Sequence, residues 1–299
     1  MAINQDNEMM VCSDACEEVF FDEAIDMRTV DWNRVWKERR AQASVPKRNV
    51  SFWDGRAVSF EKAASETDYA DRFLSIINPM GHWTVLDMGC GSGTLAIPLA
   101  KRVKMVTAVD ISPRMLSVVD ERCKAEGVSN IVTIEGRWED DWKDLGIRSC
   151  DLAVASRSMV VDDLRGAILK LSGVARRRVC IVTIVGDGPY DRRLFDAIGR
   201  PLDLGPDYIY TYNLLYQMGI HANVTFIDEK RNRMYKSCEE AVAAVEWMLG
   251  KRSCREEKRL RAYLMDYLVP INGHWGLSYE RVVRWAAIWW DKATDTVRW

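Results

Sequence analysis

Histidine is scarce in this sequence, and there is neither an excess of charge of one sign nor a long apolar run. Only His82, His221 and His274 occur among 299 residues, which leaves few candidates for a general base near neutral pH. A formal net charge of −2, from 42 basic and 44 acidic residues, argues against a nucleic-acid surface, where a basic stripe is expected. No apolar stretch reaches the roughly 18 residues that a membrane span requires.

The amino terminus and the cysteines favour a cytoplasmic protein. Residues 1–10 are polar and acidic rather than basic and then apolar, which excludes a secretory signal. Several of the eight cysteines lie in apolar runs such as 179–182, as expected for reduced core residues. Cys12 and Cys16 are close in sequence, but no second Cys or His pair complements them at zinc spacing. We therefore predict no metal site.

A glycine-rich loop between an apolar run and a predicted helix indicates a ligand site. The predicted strand 83–88 carries Asp87 near its end, and Gly89, Gly91 and Gly93 follow. Glycines permit positive φ and let a ligand approach the backbone closely. The order strand, tight loop and helix is the part of a doubly wound α/β sheet that holds nucleotides.

A second acid follows at the spacing that an adenosine site requires. Asp110 ends the apolar run 105–110 and lies 21 positions after Gly89, where a carboxylate accepts hydrogen bonds from ribose hydroxyls. A dinucleotide site needs G-x-G-x-x-G, but Thr94 stands at the third glycine position. The pattern led by Asp87 resembles the first motif of class I S-adenosylmethionine (SAM) dependent methyltransferases, and it favours SAM over NAD.

The resemblance implies a cofactor site at the ends of the first four predicted strands. The loop after the first strand would contact the amino-acid end and the sugar of SAM, the second acid would bind the ribose diol, and later side chains would lie near the adenine and the methyl group. The implied cofactor-binding residues are Asp87, Gly89, Gly91, Gly93, Asp110, Ile111, Arg137, Trp138 and Ser156.

Alternation of strands and helices predicts an α/β fold, with a doubly wound, mostly parallel seven-stranded sheet of the Rossmann-like methyltransferase type. The strands of the core are predicted at 83–88, 105–110, 131–135, 150–155 and 178–185, and the helices at 93–102, 113–126 and 163–172. The apolar spacing of 280–291 fits a strand or a helix. The resemblance favours a strand, because that family closes its sheet with a reversed hairpin.

We expect two regions in the chain. An amino-terminal helical extension covers 1–80, and a SAM-binding domain covers 81–299, with its core at 81–186 and a helical insertion at about 235–279. In the extension we expect weak order over 1–25, helices at 28–42 and 65–77, and a polar loop at Asp54-Gly55. Two later helices are predicted to begin at the S-x-x-E patterns of Ser237 and Ser253.

The residues that act on the methyl acceptor are less constrained. The predicted loop 156–159 would face the methyl group, and it lacks the Asn/Asp-Pro-Pro-Tyr/Phe signature of enzymes that methylate base amines or glutamine amides. Arg157 is a candidate partner for an anionic substrate group, or it forms a structural salt bridge with Asp162 or Asp163. His221 is the best candidate for a general base.

Aromatic residues offer a further set of candidates. Tyr212 shares a predicted helix face with Tyr208 and Tyr216, a pattern typical of packing but placed where small-molecule methyltransferases bind substrate. Of the twelve tryptophans, three lie in 32–53 and three in 285–290, and these six form either an aromatic wall or anchors for appended helices.

These observations together predict transfer of a methyl group from SAM to a small molecule, with S-adenosylhomocysteine (SAH) as the product. Methylation of RNA or protein, and a non-catalytic SAM- or SAH-binding module, remain alternatives. A small-molecule substrate is the expected partner, nucleic acid is disfavoured, no membrane is implied, and self-association is left open.

Overall fold

The computed structural model describes residues 26–44, 48–65 and 67–292, with backbone alone for 58 and 60–65. The described residues divide into two units, one that contains 26–30 and one that contains those from Asp31 to 292. In the first unit, 26–30 form a turn in which the Arg28 guanidinium pairs with the Asp26 carboxylate at 2.9 Å. The predictions for residues 1–25, including the pair Cys12 and Cys16, lie outside the described residues.

Within the described residues the second unit contains ten strands. They are β1 (Thr84–Met88), β2 (Met105–Asp110), β3 (Ile131–Glu135), β4 (Cys150–Ser156), β5 (Ala175–Ile184), β6 (Asn223–Lys230), β7 (Met234–Tyr235), β8 (Leu268–Ile271), β9 (His274–Leu277) and β10 (Val282–Asp291). Seven of them form one sheet in the order β3-β2-β1-β4-β5-β10-β6, and β7-β9-β8 form a small antiparallel sheet.

The large sheet confirms the predicted doubly wound, mostly parallel architecture. The pairs among β1 to β5 are parallel, and β10 runs antiparallel to both β5 and β6. The segment 280–291, whose apolar spacing fitted either a strand or a helix, therefore forms the strand β10. The strand order reverses between β1 and β4, which is the point where ligands bind in open α/β sheets.

Ten helices are described around the sheets. They are α1 (Trp32–Gln42), α2 (Val50–Ser65), α3 (Tyr69–Ile77), α4 (Ala96–Ala100), α5 (Pro113–Glu126), α6 (Leu164–Val174), α7 (Arg192–Ile198), α8 (Tyr208–Gln217), α9 (Cys238–Leu249) and α10 (Cys254–Tyr267). In the described part of the chain, none has the length and apolar character needed to cross a bilayer.

Local sequence signals explain where several helices begin and end. The Ser112 hydroxyl accepts a hydrogen bond from the Met115 amide at 3.1 Å, and α5 ends at Gly127 with a positive φ, as predicted. Ser253 and Glu256 form a complete capping box at α10. At α9 the box is incomplete, because the Glu240 carboxylate accepts from the Lys236 amide instead.

The predicted polar loop at Asp54-Gly55 is wrong, because both residues lie within α2. The Asn49 side chain accepts from the Phe52 amide at 3.0 Å at the start of this helix. Ala57 and Trp53 pack against α5, so tertiary contacts outweigh the helix cost of about 1 kcal/mol for an interior glycine. The short elements α7 and β7–β9 are additions that the sequence analysis did not predict.

The core occupies both faces of the large sheet, which explains the near-continuous apolar character of its central strands. On one face, α3 contributes Tyr69, Phe73 and Ile77 to the buried cluster. On the other face, α1 contributes Trp36, whose indole N–H donates to the Val161 carbonyl at 2.7 Å. The helices before β1 therefore pack in the same compact unit as the sheet. A third cluster joins α7, α9 and α10.

We expect Leu152→Ala, in the middle of β4, to lower the free energy of unfolding by about 2–5 kcal/mol, because Leu152 is fully buried and truncation leaves a cavity. The matched change Leu169→Ala is on the exposed face of α6, where the leucine is 55% exposed, and should stay within about 0.5 kcal/mol. Urea denaturation of both variants measures the difference, and equal costs would contradict this placement of the core.

Candidate active site

A cavity of about 1880 Å³ lies at the carboxyl ends of β1, β2, β4 and β5. It extends to walls formed by α2, α9 and the connection from β6 to β7. Its volume exceeds the roughly 300–1,000 Å³ of an ordinary ligand pocket, so it has room for a cofactor and a second molecule. Of the nine residues implied as cofactor contacts, the cavity is lined by Asp87, Gly89, Gly91, Asp110, Ile111, Arg137, Trp138 and Ser156.

The loop after β1 adopts a conformation that requires glycine. Gly89 has a φ of 76°, and a Cβ built on it would lie 2.3 Å from the Ser158 Cβ. The Gly89 amide donates to the Val109 carbonyl at 2.7 Å. Backbone, rather than a side chain, therefore forms this part of the cavity wall.

Gly93, the ninth implied contact, is placed elsewhere. It does not line the cavity, and a Cβ there would lie 3.1–3.3 Å from side-chain atoms of Ile97 and Val119. Its φ of 82° and its close packing serve the turn into α4. Gly93 therefore has a structural role in this turn, and its implied contact with the cofactor stays a prediction.

The Asp110 carboxylate joins two loops at the cavity floor. One oxygen accepts from the Gly91 amide at 2.8 Å, and the other accepts from the Ser112 amide at 2.9 Å. Burial raises the pKa of Asp110, while these backbone hydrogen bonds oppose the rise. Each carboxylate oxygen has a second lone pair, so the geometry leaves acceptor capacity for the hydroxyls of a ribose.

Asp87 is the least satisfied polar group of the site. It is 1% exposed, and neither of its carboxylate oxygens makes a hydrogen bond of normal geometry within the described residues. Burial, and then repulsion from Asp110, raise the pKa of Asp87 to about 7. A buried carboxylate without a partner is costly, and a cation bound beside it would offset that cost.

Hydrogen bonds fix the loop that follows β4. The Ser158 hydroxyl donates to the Met88 carbonyl at 2.5 Å, and the Trp138 indole N–H donates to the Ser158 carbonyl at 3.0 Å. The Arg157 amide donates to Val182 at 2.7 Å, and Arg157 has a φ of 59°. Trp138 therefore both lines the cavity and supports this loop, while Arg137 is exposed at the cavity edge.

The Arg157 side chain lies between two aromatic rings. Its guanidinium carbon is 4.2 Å from the Tyr69 ring and 5.3 Å from the Trp285 ring. The Glu229 carboxylate lies 4.0 Å from it. Arg157 also lowers the pKa of Asp87 by its charge, although burial dominates that carboxyl. The guanidinium thus faces the cavity beside the predicted methyl position.

The alternative partners expected for Arg157 are engaged elsewhere. Asp162 pairs with Arg40 at 3.4 Å, and Asp163 accepts from the Gly166 amide at 2.9 Å as the cap of α6. The predicted salt bridge of Arg157 to either of these acids is therefore wrong.

Glu229 does not line the cavity, but it is a charged neighbour of Arg157 that sequence reasoning missed. It is 1% exposed and lies on β6, where its carboxylate accepts from the Trp285 indole at 2.5 Å and from Arg231 at 3.0 Å. Burial alone would raise the pKa of Glu229, but the charges of Arg231 and Arg157 outweigh it and lower that pKa. An acid among polar neighbours on an outer strand gives no sequence signal of burial.

The structure does not bring His221 and Tyr212 to the cavity. His221 is exposed before β6 and stacks on Tyr216 with ring centroids 6.0 Å apart. Tyr212 lies in α8 and packs at the edge of the core, as do Tyr208 and Tyr210 of the same helix. Tyr208 and Tyr212 of the predicted stripe have a packing role, whereas Tyr216 is 54% exposed. Neither His221 nor Tyr212 lines the cavity.

The tryptophans divide between the two roles expected for them. Trp36, Trp53 and Trp285 line the cavity. Trp290 is buried in the core, and Trp32 packs edge-on against Tyr210 at 5.9 Å.

The residues at the floor of the cavity fit SAM. The unpaired Asp87 carboxylate suits the ammonium group, Asp110 suits the ribose diol, and Gly89 gives the backbone close access to the ligand. No cluster of three or more potential metal-ligating side chains occurs among the residues described by the structure.

The comparisons with known proteins agree with this site. A family model described as a methyltransferase domain matches residues 85–177, the segment that contains the glycine loop, Asp110 and the Arg157 loop. Residues 85–177 therefore form a domain of the class I SAM-dependent methyltransferase superfamily.

Relatives of the whole chain and of its parts are also known. An uncharacterized protein of Haemophilus influenzae is 35% identical over 243 residues, which cover 80% of this chain and 88% of that protein. The ubiquinone/menaquinone biosynthesis C-methyltransferase of Zymomonas mobilis is 36% identical over 63 residues, 21% of this chain and 26% of that enzyme. The YcgJ protein of Bacillus subtilis is 14% identical, with a TM-score of 0.47 over 75% of this chain and 97% of that structure.

We expect Asp110→Ala to weaken SAM binding by about 1.5–3 kcal/mol, the scale of charge-assisted hydrogen bonds. Isothermal titration with SAM and SAH measures the change. Glu135→Ala is the matched control, because Glu135 ends the neighbouring strand β3, is exposed and does not line the cavity. An unchanged dissociation constant in Asp110→Ala would show that this carboxylate does not bind the ribose.

SAH affinity should depend on pH through Asp87. Because its pKa is about 7, the carboxylate is ionised above that pH and protonated below it, so affinity for an ammonium group should fall by up to about tenfold per unit below pH 7. In Asp87→Asn the binding should be weaker at pH 7.5 and nearly independent of pH down to about 5.5. Glu135→Gln should keep the wild-type dependence of SAH affinity on pH. If Asp87→Asn also kept that dependence, Asp87 would not bind the ammonium group.

Proposed function

We propose that the protein transfers a methyl group from SAM to a small-molecule acceptor by in-line displacement. The observation that carries the proposal is the single cavity that begins at Asp87 and Asp110 and continues past Arg157 to walls formed by α2 and α9. One end fits the cofactor, and the remaining volume is enclosed by elements outside the region matched to the methyltransferase family model.

SAM, when bound, supplies an electrophilic methyl group on its sulfonium. The protein's own residues then hold the two molecules in line. Asp87 and Asp110 orient the cofactor, and the loop 156–159, fixed by the Ser158 and Trp138 hydrogen bonds, defines the surface from which the acceptor approaches. Alignment of this kind contributes up to roughly 7–11 kcal/mol.

The described residues that line the cavity include no histidine. The cavity therefore gives no support for proton transfer by a histidine. Arg157 instead places a fixed positive charge beside Tyr69 and Trp285. We assign to it the positioning of an electron-rich acceptor, through its planar set of donors.

The test is incubation of the protein and methyl-labelled SAM with a cell extract separated into small molecules, RNA and protein. Label in the small-molecule fraction, lost in Asp110→Ala and retained in Glu135→Ala, is the expected result. Label in RNA or protein would replace the small-molecule acceptor. Tight SAH binding without label in any fraction would indicate a non-catalytic module.

A further inference from the structure

The part of the cavity between α2, α9 and the β6–β7 connection is rich in arginine. Arg48 precedes α2, Arg56 lies within it, and Arg233 lies in the connection; all three line the cavity. Arg231 and Arg281 also line it, but they have carboxylate partners, Glu229 at 3.0 Å and Asp191 at 3.8 Å respectively.

Arg48, Arg56 and Arg233 differ from Arg231 and Arg281 in their carboxylate partners. Among the described residues, no ion pair joins Arg48, Arg56 or Arg233 to a carboxylate. The acids in this part of the cavity wall are Glu240, whose carboxylate accepts from a backbone amide at 2.6 Å, and Glu246, which is exposed. The local charge is therefore positive, although the whole chain is nearly neutral.

Aromatic rings hold two of these guanidinium groups close together. The Arg48 guanidinium carbon lies 4.0 Å from the Phe52 ring centre and that of Arg56 lies 5.8 Å from it. Arg56 is also 5.0 Å from the Trp247 ring, and Arg48 donates to the Trp247 carbonyl at 2.9 Å. Ring faces attract cations, but they do not neutralise them.

Arg56 is held in an environment that penalises its charge. It is half-buried, and burial, followed by the charges of Arg48 and Arg233, lowers its pKa. Guanidinium groups remain charged in proteins and present donors that match carboxylate and phosphate geometry. An anion bound among the three would offset both the repulsion and the desolvation.

We propose that the methyl acceptor carries an anionic group, a carboxylate or a phosphate, that binds to Arg48, Arg56 and Arg233. The identification of this anion as part of the acceptor rests on the proposed function. The Phe52 and Trp247 rings lie beside Arg48 and Arg56, and these apolar surfaces lower the local dielectric constant and strengthen the attraction of a bound anion.

The experiment is calorimetric titration of the full chain, saturated with SAH, using sodium phosphate and sodium benzoate at constant ionic strength. Wild type should bind at least one probe. Arg56→Gln and Arg233→Gln should weaken that binding at least about tenfold, the loss of one charge-assisted contact. Arg148→Gln is the matched control, because Arg148 is exposed and does not line the cavity. SAH affinity and melting temperature, measured on every variant, should not change.

Each outcome decides the proposal. If only phosphate or only benzoate binds, the proposal is supported, and the anionic group of the acceptor is identified as a phosphate or a carboxylate, respectively. Absence of binding by both probes, or equal binding in all variants, overturns it. Displacement of the bound probe by a short RNA would show that the arginines bind a nucleic acid, and this result would also overturn the proposal. Failure of SAH to bind contradicts the proposed function instead, and the same titrations without SAH still test the anion site.

Discussion

The carboxylate of Asp110 is the constraint around which the site is organised. It accepts hydrogen bonds from the loop after β1 and from the residue that caps α5. The hydroxyl of that capping residue, Ser112, donates in turn to Asp54 on α2 at 2.6 Å. One buried acid thus links two strand ends and, through a serine, the helix that covers them, so the cavity floor and one of its walls are set together.

The charges around the cavity are arranged in two groups of opposite sign. Asp87 and Asp110 lie at the cofactor end with raised pKa values, whereas the walls formed by α2 and the β6–β7 connection present arginines. Arg157 and Glu229 lie near the boundary, where their charges act on each other. A cationic cofactor and an anionic acceptor would each meet a wall of the opposite charge, which favours one orientation of the pair.

The central features of the fold and the cofactor end were predictable because they depend on short-range patterns. The run 105–110 and the helix bounded by Ser112 and Gly127 appear in the structure with the predicted limits, since apolar periodicity and capping act within a few residues. Asp110 was placed at a strand tip by the same reasoning.

The acceptor end depends on tertiary contacts that these patterns do not contain. Gly55 lies in a helix because Trp53 and Ala57 pack on α5. Glu229 is buried because Arg231 and Trp285 compensate it from other positions. Arg56 and Arg233 are 177 residues apart in sequence and line the same cavity only in the folded chain. His221 had the expected chemistry, but it lies outside the cavity.

The left-handed backbone of Arg157 has a consequence for how this protein tolerates sequence change. A φ of 59° is one that glycine adopts freely, whereas a side chain there costs on the order of 1 kcal/mol. Replacement by glycine would relax the main chain and remove the guanidinium from between Tyr69 and Trp285. The backbone strain at 157 and the side-chain contacts with Tyr69 and Trp285 therefore act in opposite directions on the stability of this loop.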